Sequence, residues 1–172
     1  MKYEEKIINK KEVYRGNFLV MENIDVILPN GNNGNRDIVR HPGAVALVAF
    51  TSKDEIVLVE QFRVAINKTI LEIPAGKLEK GEDPLEAAKR ELEEETGYKA
   101  KNIDYLGTIA TAPGFTDEQI HIYKATELYE GIKGGDDDEF IDVNSYKISD
   151  IKEMIKEGKI IDTKTISSLM YL

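Results

Sequence analysis

Apolar and polar positions alternate over residues 18–28. Phe18, Val20, Ile24, Val26 and Leu28 recur mostly at a spacing of two, with Glu22 breaking the pattern. That period predicts a strand with one buried face. The next run, Pro29-Asn30-Gly31-Asn32-Asn33-Gly34-Asn35, is made of turn formers, and Arg36-Asp37-Ile38-Val39 reads as a returning strand. A glycine-rich loop cradles phosphate when it opens a helix; here it joins two strands, so it reads as a hairpin connection. Residues 44–50 are almost continuously apolar, as in a central strand buried on both faces. Residues 55–63 and the short run 69–73, ending at Pro74, follow as strands. Further strands are predicted at 105–109 and 119–125, separated by the loop Ala112-Pro113-Gly114-Phe115-Thr116-Asp117. An acidic run, Asp136-Asp137-Asp138-Glu139, leads into a strand-like 140–143. The chain finishes with helical patterns at 148–157 and 162–172, the first capped by Ser149-Asp150 and stopped by Gly158. Without repeats, low-complexity stretches or linkers, this order predicts one α+β structural unit around a mixed sheet.

One helix is written more fully than the others. Asp83 suits an N-cap, Pro84 the first helical position, and Glu86 completes a capping-box-like pair. Gly97 suits the position just past the end. The helix predicted over 84–96 places Leu85, Ala88, Leu92 and Thr96 on one buried stripe. Lys89 is spaced to pair with Glu93. Glu91, Glu94 and Glu95 fall together on an adjacent face, with no basic partner among them at helical spacing. Each like-charge pair opposes the helix by a few tenths of a kcal/mol, roughly. A solvated acidic face is the bland account. A hard divalent cation, bound by carboxylate oxygens, is the chemical one.

Composition narrows the choices. The 172 residues contain no cysteine and two histidines, His41 and His121. Thiol nucleophiles, disulfide frameworks, zinc fingers and iron–sulfur clusters are therefore excluded. The net charge of −9 repels phosphate backbones, so no nucleic-acid partner is expected. An anionic small substrate remains compatible if a cation stands between it and the protein. No apolar run is long enough to span a membrane, and the charged first eleven residues lack a signal-peptide core. The expectation is a cytoplasmic protein.

The stretch GKLEKGEDPLEAAKRELEEETGY, residues 76–98, resembles the Nudix box GX5EX7REUXEEXGU. Gly76, Glu82, Arg90-Glu91-Leu92, Glu94-Glu95 and Gly97 stand at its fixed positions, with Tyr98 replacing the final bulky aliphatic. The resemblance implies the Nudix fold, an α/β/α sandwich around a mixed β-sheet, preceded here by an N-terminal antiparallel β segment. Residues 1–43 would be that segment and a dimerisation part, and residues 44–172 the Nudix domain. It implies hydrolysis of a nucleoside diphosphate linked to another group. Glu91 and Glu95 would be the principal ligands of Mg2+, with Mn2+ as a substitute, and Glu94 a further or near ligand. The Ala75 carbonyl would be a backbone ligand, Arg90 would orient the glutamates, and Glu82 would hold the loop.

Motifs outside the box resemble the ADP-ribose pyrophosphatase group. They are Pro113-Gly114-Phe115-Thr116-Asp117-Glu118, Arg36-Asp37-Ile38-Val39 with His41-Pro42-Gly43-Ala44-Val45, Glu60-Gln61-Phe62-Arg63, and Glu72-Ile73-Pro74-Ala75-Gly76. This implies cleavage of ADP-ribose to AMP and ribose 5-phosphate. Arg36, Arg63, Glu72, Pro113, Gly114 and Phe115 would bind substrate, Arg36 in a neighbouring subunit of a homodimer. The general base falls on Asp137, with Glu139 as a metal-linked carboxylate, or on Glu139 itself. Phe18 or Tyr14 could stack on adenine, although core packing accounts for either equally well. His121 reads as a packed or edge residue. The rival readings are another Nudix substrate (a GDP-sugar, a dinucleoside polyphosphate or coenzyme A), a non-catalytic ADP-ribose-sensing module, and a plain structural domain.

Overall fold

A computed structural model describes residues 2–132, 134 and 140–172. By its internal contacts the chain divides into two compact units. The first comprises Met1–Gly43 with Ala110–Gln119, and the second Ala44–Ile109 with Ile120–Leu172.

In the first unit, strands β1 (Lys6–Arg15), β2 (Val20–Ile27) and β3 (Asn33–Arg40) form an antiparallel sheet in that order. The alternation seen in the sequence is real in β2, where Ile24 and Val26 are buried. The loop expected over 29–35 is shorter: Gly31, at φ 85°, turns the chain and β3 begins at Asn33. Strand β1 was not foreseen. It is exposed along its whole length, so no face imposes a period on its sequence, and its conformation comes from pairing with β2.

The second unit contains β4 (Ala44–Ala49), β5 (Glu55–Arg63), β6 (Lys68–Glu72), β7 (Ala75–Lys77), α1 (Pro84–Thr96), β8 (Tyr98–Ala110) except its last residue, β9 (Gln119–Glu130) except its first, β10 (Ile141–Lys147), α2 (Ile148–Lys156) and α3 (Thr163–Ser168). A 3-10 turn, Leu169–Tyr171, follows α3 where the sequence suggested continuous helix. One sheet has the order β7-β4-β9-β8, mixed because β4 runs parallel to β9 and antiparallel to β7. The other, β10-β5-β6, is antiparallel.

The apolar run of β4 supplies two cores at once. Ala44, Ala46 and Val48 join Ile56, Leu58, Ile122 and Ile151 on the side of α2. Val45, Leu47 and Ala49 join Val57, Ala87, Ala88 and Leu92 on the side of α1. Successive strand side chains point to opposite faces, so a strand covered by helices on both sides must be apolar throughout. This is the expected α/β/α arrangement. Leu92 is wholly buried, which contributes roughly 1.5–3 kcal/mol relative to exposure.

Two local expectations are corrected. Helix α2 starts at Ile148 with Lys147 at its N-cap and no side-chain cap bond, so Ser149 and Asp150 lie inside its first turn. Gly158, at φ 71°, follows its end as expected. In α1, Asp83 accepts from the amides of Leu85 and Glu86, Pro84 opens the helix and Gly97 closes it at φ 75°. The capping box is only half formed, because the Glu86 carboxylate binds Lys89 instead.

Candidate active site

The site is built where α1 lies against β7. Gly76, in the middle of β7, faces the helix. A Cβ placed there would stand 1.9 Å from the Glu91 carboxyl carbon and 2.0 and 2.1 Å from its oxygens. Only glycine lets that carboxylate rest on the strand. The neighbouring residue binds the helix directly: the Ala75 amide donates to Glu95 Oε2 at 2.9 Å. Glu91 and Glu95 are both buried, while Glu94 is partly exposed.

Arg90 organises the acidic side chains. Its Nε and Nη2 donate to Glu82 at 2.9 and 3.0 Å. Its Nη1 donates to Glu91 at 2.7 Å and to Glu94 at 2.9 Å, and Nη2 also reaches the Lys77 carbonyl at 3.3 Å. The hydrogen bond to Glu82 raises the basicity of this guanidinium; partial burial works against that, and Glu91 and Glu94 add to it. Reciprocally, Arg90 and then the Glu79 amide hold the Glu82 carboxyl below its ordinary value. Glu82 thus ties the loop before the helix to the helix itself.

Two sequence readings change here. The acidic face does have a basic partner at helical spacing, since Arg90 and Glu94 are four residues apart. The carboxylates therefore do not by themselves rule out a structural role. Lys89 pairs with Glu86 rather than Glu93, because Glu93 is taken by Lys99 and the Ile132 amide.

Among the described residues, no three acidic or histidine side chains are gathered into a ready cation cage. Arg90 holds Glu91 and Glu94, and the Ala75 amide draws Glu95 to the strand. Asp137 and Glu139 lie outside the described residues. The donor set nonetheless fits a hard divalent cation. Three carboxylates stand on consecutive turns of one helix, one guanidinium is shared among Glu82, Glu91 and Glu94, and the glycine cradle places the Glu91 carboxylate against the strand carrying the Ala75 carbonyl. Oxygen donors of this kind suit magnesium, manganese or calcium.

From the end of β5, Arg63 Nε donates to Glu72 Oε1 of β6 at 2.7 Å. Glu72 is 1% exposed, and its other oxygen receives Lys164. Burial works to lower the basicity of Arg63; the hydrogen bond and charge of Glu72, then Glu95 and Asp162, overcome it and raise it. Lys164 was not singled out in the sequence. It lies 92 residues from Glu72, beyond any local pattern.

The remaining residues expected at a substrate site belong to the first unit. Arg36 donates to Glu5 at 2.5 Å and to the Asn35 carbonyl at 2.8 Å. Pro113, Gly114 and Phe115 form a turn in which the Phe115 and Thr116 amides donate to the Ala112 carbonyl. The turn is fastened to β3. The Val39 amide donates to the Phe115 carbonyl at 2.7 Å, and Asp117 accepts from Arg40 and the His41 amide. Phe115 is exposed, and a side chain on Gly114 would meet open space. Phe18 meets His41 edge-on at 5.6 Å, and Tyr14 is exposed. In the second unit, His121 is a satisfied strand residue, bonded through Nδ1 to Thr108 at 2.8 Å.

Comparison with known proteins shows the family and the fold. The model of the NUDIX domain matches residues 39–168. The chain is 48% identical to a methanol dehydrogenase activator of Bacillus methanolicus over 99% of its own length and 93% of the relative's. It is 44% identical to an ADP-ribose pyrophosphatase of Bacillus subtilis over 98% of its length and 92% of that protein's. Its fold matches the crystal structure of an ADP compounds hydrolase with a TM-score of 0.86 at 23% identity, covering 98% of this chain and 91% of the other.

Proposed function

The chain belongs to the NUDIX family, and on that premise we propose that it hydrolyses ADP-ribose to AMP and ribose 5-phosphate with Mg2+. Hydrolysis of a nucleoside diphosphate derivative is the family's reaction, and a divalent metal its usual requirement. The observation that carries the reading is the Glu91 carboxylate resting in the Gly76 cradle beside Glu95 and the Arg90 network.

In the reaction, a water oxygen forms a bond to one phosphorus while the bridging P–O bond breaks, and the freed phosphate oxygen takes the leaving electrons. The metal, when bound, neutralises the diphosphate and lowers the pKa of a water. Glu91, Glu94, Glu95 and the Ala75 carbonyl would hold it, and Glu139 is a further candidate. Arg90 keeps Glu91 and Glu94 at fixed angles through charge-assisted hydrogen bonds. Arg63, held at Nε, turns its other nitrogens to the diphosphate, and Glu72 acts through it. Asp137 or Glu139 would accept the proton of the attacking water. Arg36, Pro113, Gly114 and Phe115 are proposed as substrate contacts of the first unit on the resemblance alone. Residues 1–43 are proposed as a dimerisation segment, supported by the exposed apolar side chains Ile7, Ile8, Val13 and Met21. The proposed location is cytoplasmic; among the described residues no helix is long and apolar enough to cross a membrane.

A second reading, activation of a dehydrogenase, is favoured by the likeness to the Bacillus methanolicus protein. The test is release of nucleoside monophosphate, GMP from GDP-mannose and AMP from ADP-ribose, diadenosine tetraphosphate and NADH, with Mg2+ or with EDTA. The proposal expects metal-dependent turnover of ADP-ribose well above the others. Binding of ADP-ribose without turnover of any of them would replace it with the sensing module.

A further inference from the structure

Helix α3 brings a buried lysine to a carboxylate that already has an arginine. The Lys164 side chain is 10% exposed and that of Glu72 2%. Lys164 Nζ meets Glu72 Oε2, and lies 3.2 Å from Asp162. An arginine and a carboxylate left to themselves favour a two-pronged contact. Arg63 instead uses Nε alone, on Glu72 Oε1. Among the described residues neither of its Nη groups makes a hydrogen bond, and its side chain is 41% exposed.

The same short helix fixes the strand end that leads to the cradle. Asp162 caps α3, accepting from the Thr165 amide at 2.9 Å and its hydroxyl at 2.6 Å. The Thr165 hydroxyl oxygen accepts from the Ile73 amide at 2.9 Å. Two residues further on, the Ala75 amide binds Glu95. Lys164 and Thr165 therefore hold the 72–75 segment at Glu72 and Ile73, and the box helix holds it at Ala75.

We infer that Lys164 is a positioning residue for Arg63. By occupying one oxygen of Glu72 it limits Arg63 to a single Nε contact with the other, which leaves both Nη groups to grip the substrate's diphosphate. Without Lys164, the arginine fork closes onto Glu72 and its phosphate-binding groups are spent on the protein. The inference rests on the proposed function only in taking Arg63 as a diphosphate contact.

The test is a cycle of Lys164→Met, Arg63→Gln and the double variant in the full chain, with Lys164→Arg as the conservative replacement. Kinetics on ADP-ribose and Tm are measured for each. Lys164→Met should raise KM about tenfold, as loss of a hydrogen bond to a charged group does, with kcat changed by less than about threefold. The double variant should match Arg63→Gln within about twofold, and Lys164→Arg should recover most of the wild-type KM. A lowered Tm with unchanged KM, or KM effects that multiply in the double variant, would overturn the inference. Should Lys164→Met not fold, Glu72→Gln decides: its KM should rise to the Arg63→Gln level, and an unchanged KM refutes the role. If wild-type protein hydrolyses none of the substrates, the enzymatic reading fails separately. ADP binding by calorimetry then replaces KM, with the same pattern expected in Kd.

Discussion

Replacing Gly76 with alanine adds one methyl group in the tightest place of the site. The new Cβ would stand 1.9 Å from the Glu91 carboxyl carbon, whereas carbon atoms in contact sit about 3.5–4.0 Å apart. The carboxylate must withdraw by about 1.5 Å or more, or β7 must move off α1. Gly76 is not among the glycines at positive φ, so alanine suits the backbone and the effect is purely one of space. Withdrawing Glu91 loosens its 2.7 Å bond to Arg90 and moves a proposed metal ligand. A displacement near 1 Å in catalytic geometry costs on the order of 100-fold, and that loss in kcat/KM is expected for Gly76→Ala. Overpacking of this kind destabilises by about 1–3 kcal/mol, at about 2–4 °C in Tm per kcal/mol for a domain of this size. The assay is thermal unfolding with steady-state kinetics for Gly76→Ala in the wild-type and Glu91→Ala backgrounds. In the second background the methyl enters vacated space, so its Tm penalty should vanish. A penalty that persists there, or a Gly76→Ala enzyme within twofold of wild type, would refute the cradle.

Further outcomes follow from the same contacts. Asp83→Ala removes the acceptor for two amides at the start of α1 and should lower stability by about 1 kcal/mol, read as a fall in Tm with KM little altered. Glu82 has its pKa depressed by the hydrogen bond from Arg90. Its stabilisation is present above the ordinary glutamate value of 4.5 and is lost as pH falls through the depressed folded value. A Tm profile taken from pH 7 to pH 3 should fall less steeply on the acid side in Glu82→Gln than in wild type; parallel profiles would contradict this. Asp117→Asn weakens the contacts to Arg40 and the His41 amide that fasten the 112–117 turn, and should raise KM for ADP-ribose while kcat stays close to wild type.

What could be read from the sequence is what is encoded locally. Helix α1 announces itself through Asp83, Pro84 and Gly97 within fifteen residues, and its bounds match the expectation. The two-sided burial of β4 follows from its unbroken apolar run. The three-residue β7 is too short to show a period, and β1, exposed on both faces, has none to show. The contacts of Arg90 were expected from the resemblance and not from helical spacing: adjacent residues on a helix are not expected to meet, and long side chains folding back made the pair with Glu91. Lys164 joins Glu72 only through the tertiary fold, so nothing in the 162–172 helical pattern marked it.

The most direct measurement compares wild type with Glu95→Gln for AMP release from ADP-ribose, with Mg2+ and with EDTA. The amide keeps an oxygen for the Ala75 amide, so the fold should survive while the anionic ligand is lost. Mg2+-dependent turnover in wild type, reduced by about 100-fold or more in Glu95→Gln at similar Tm, is the predicted result. Turnover that EDTA leaves intact, or that Glu95→Gln retains in full, would contradict the account.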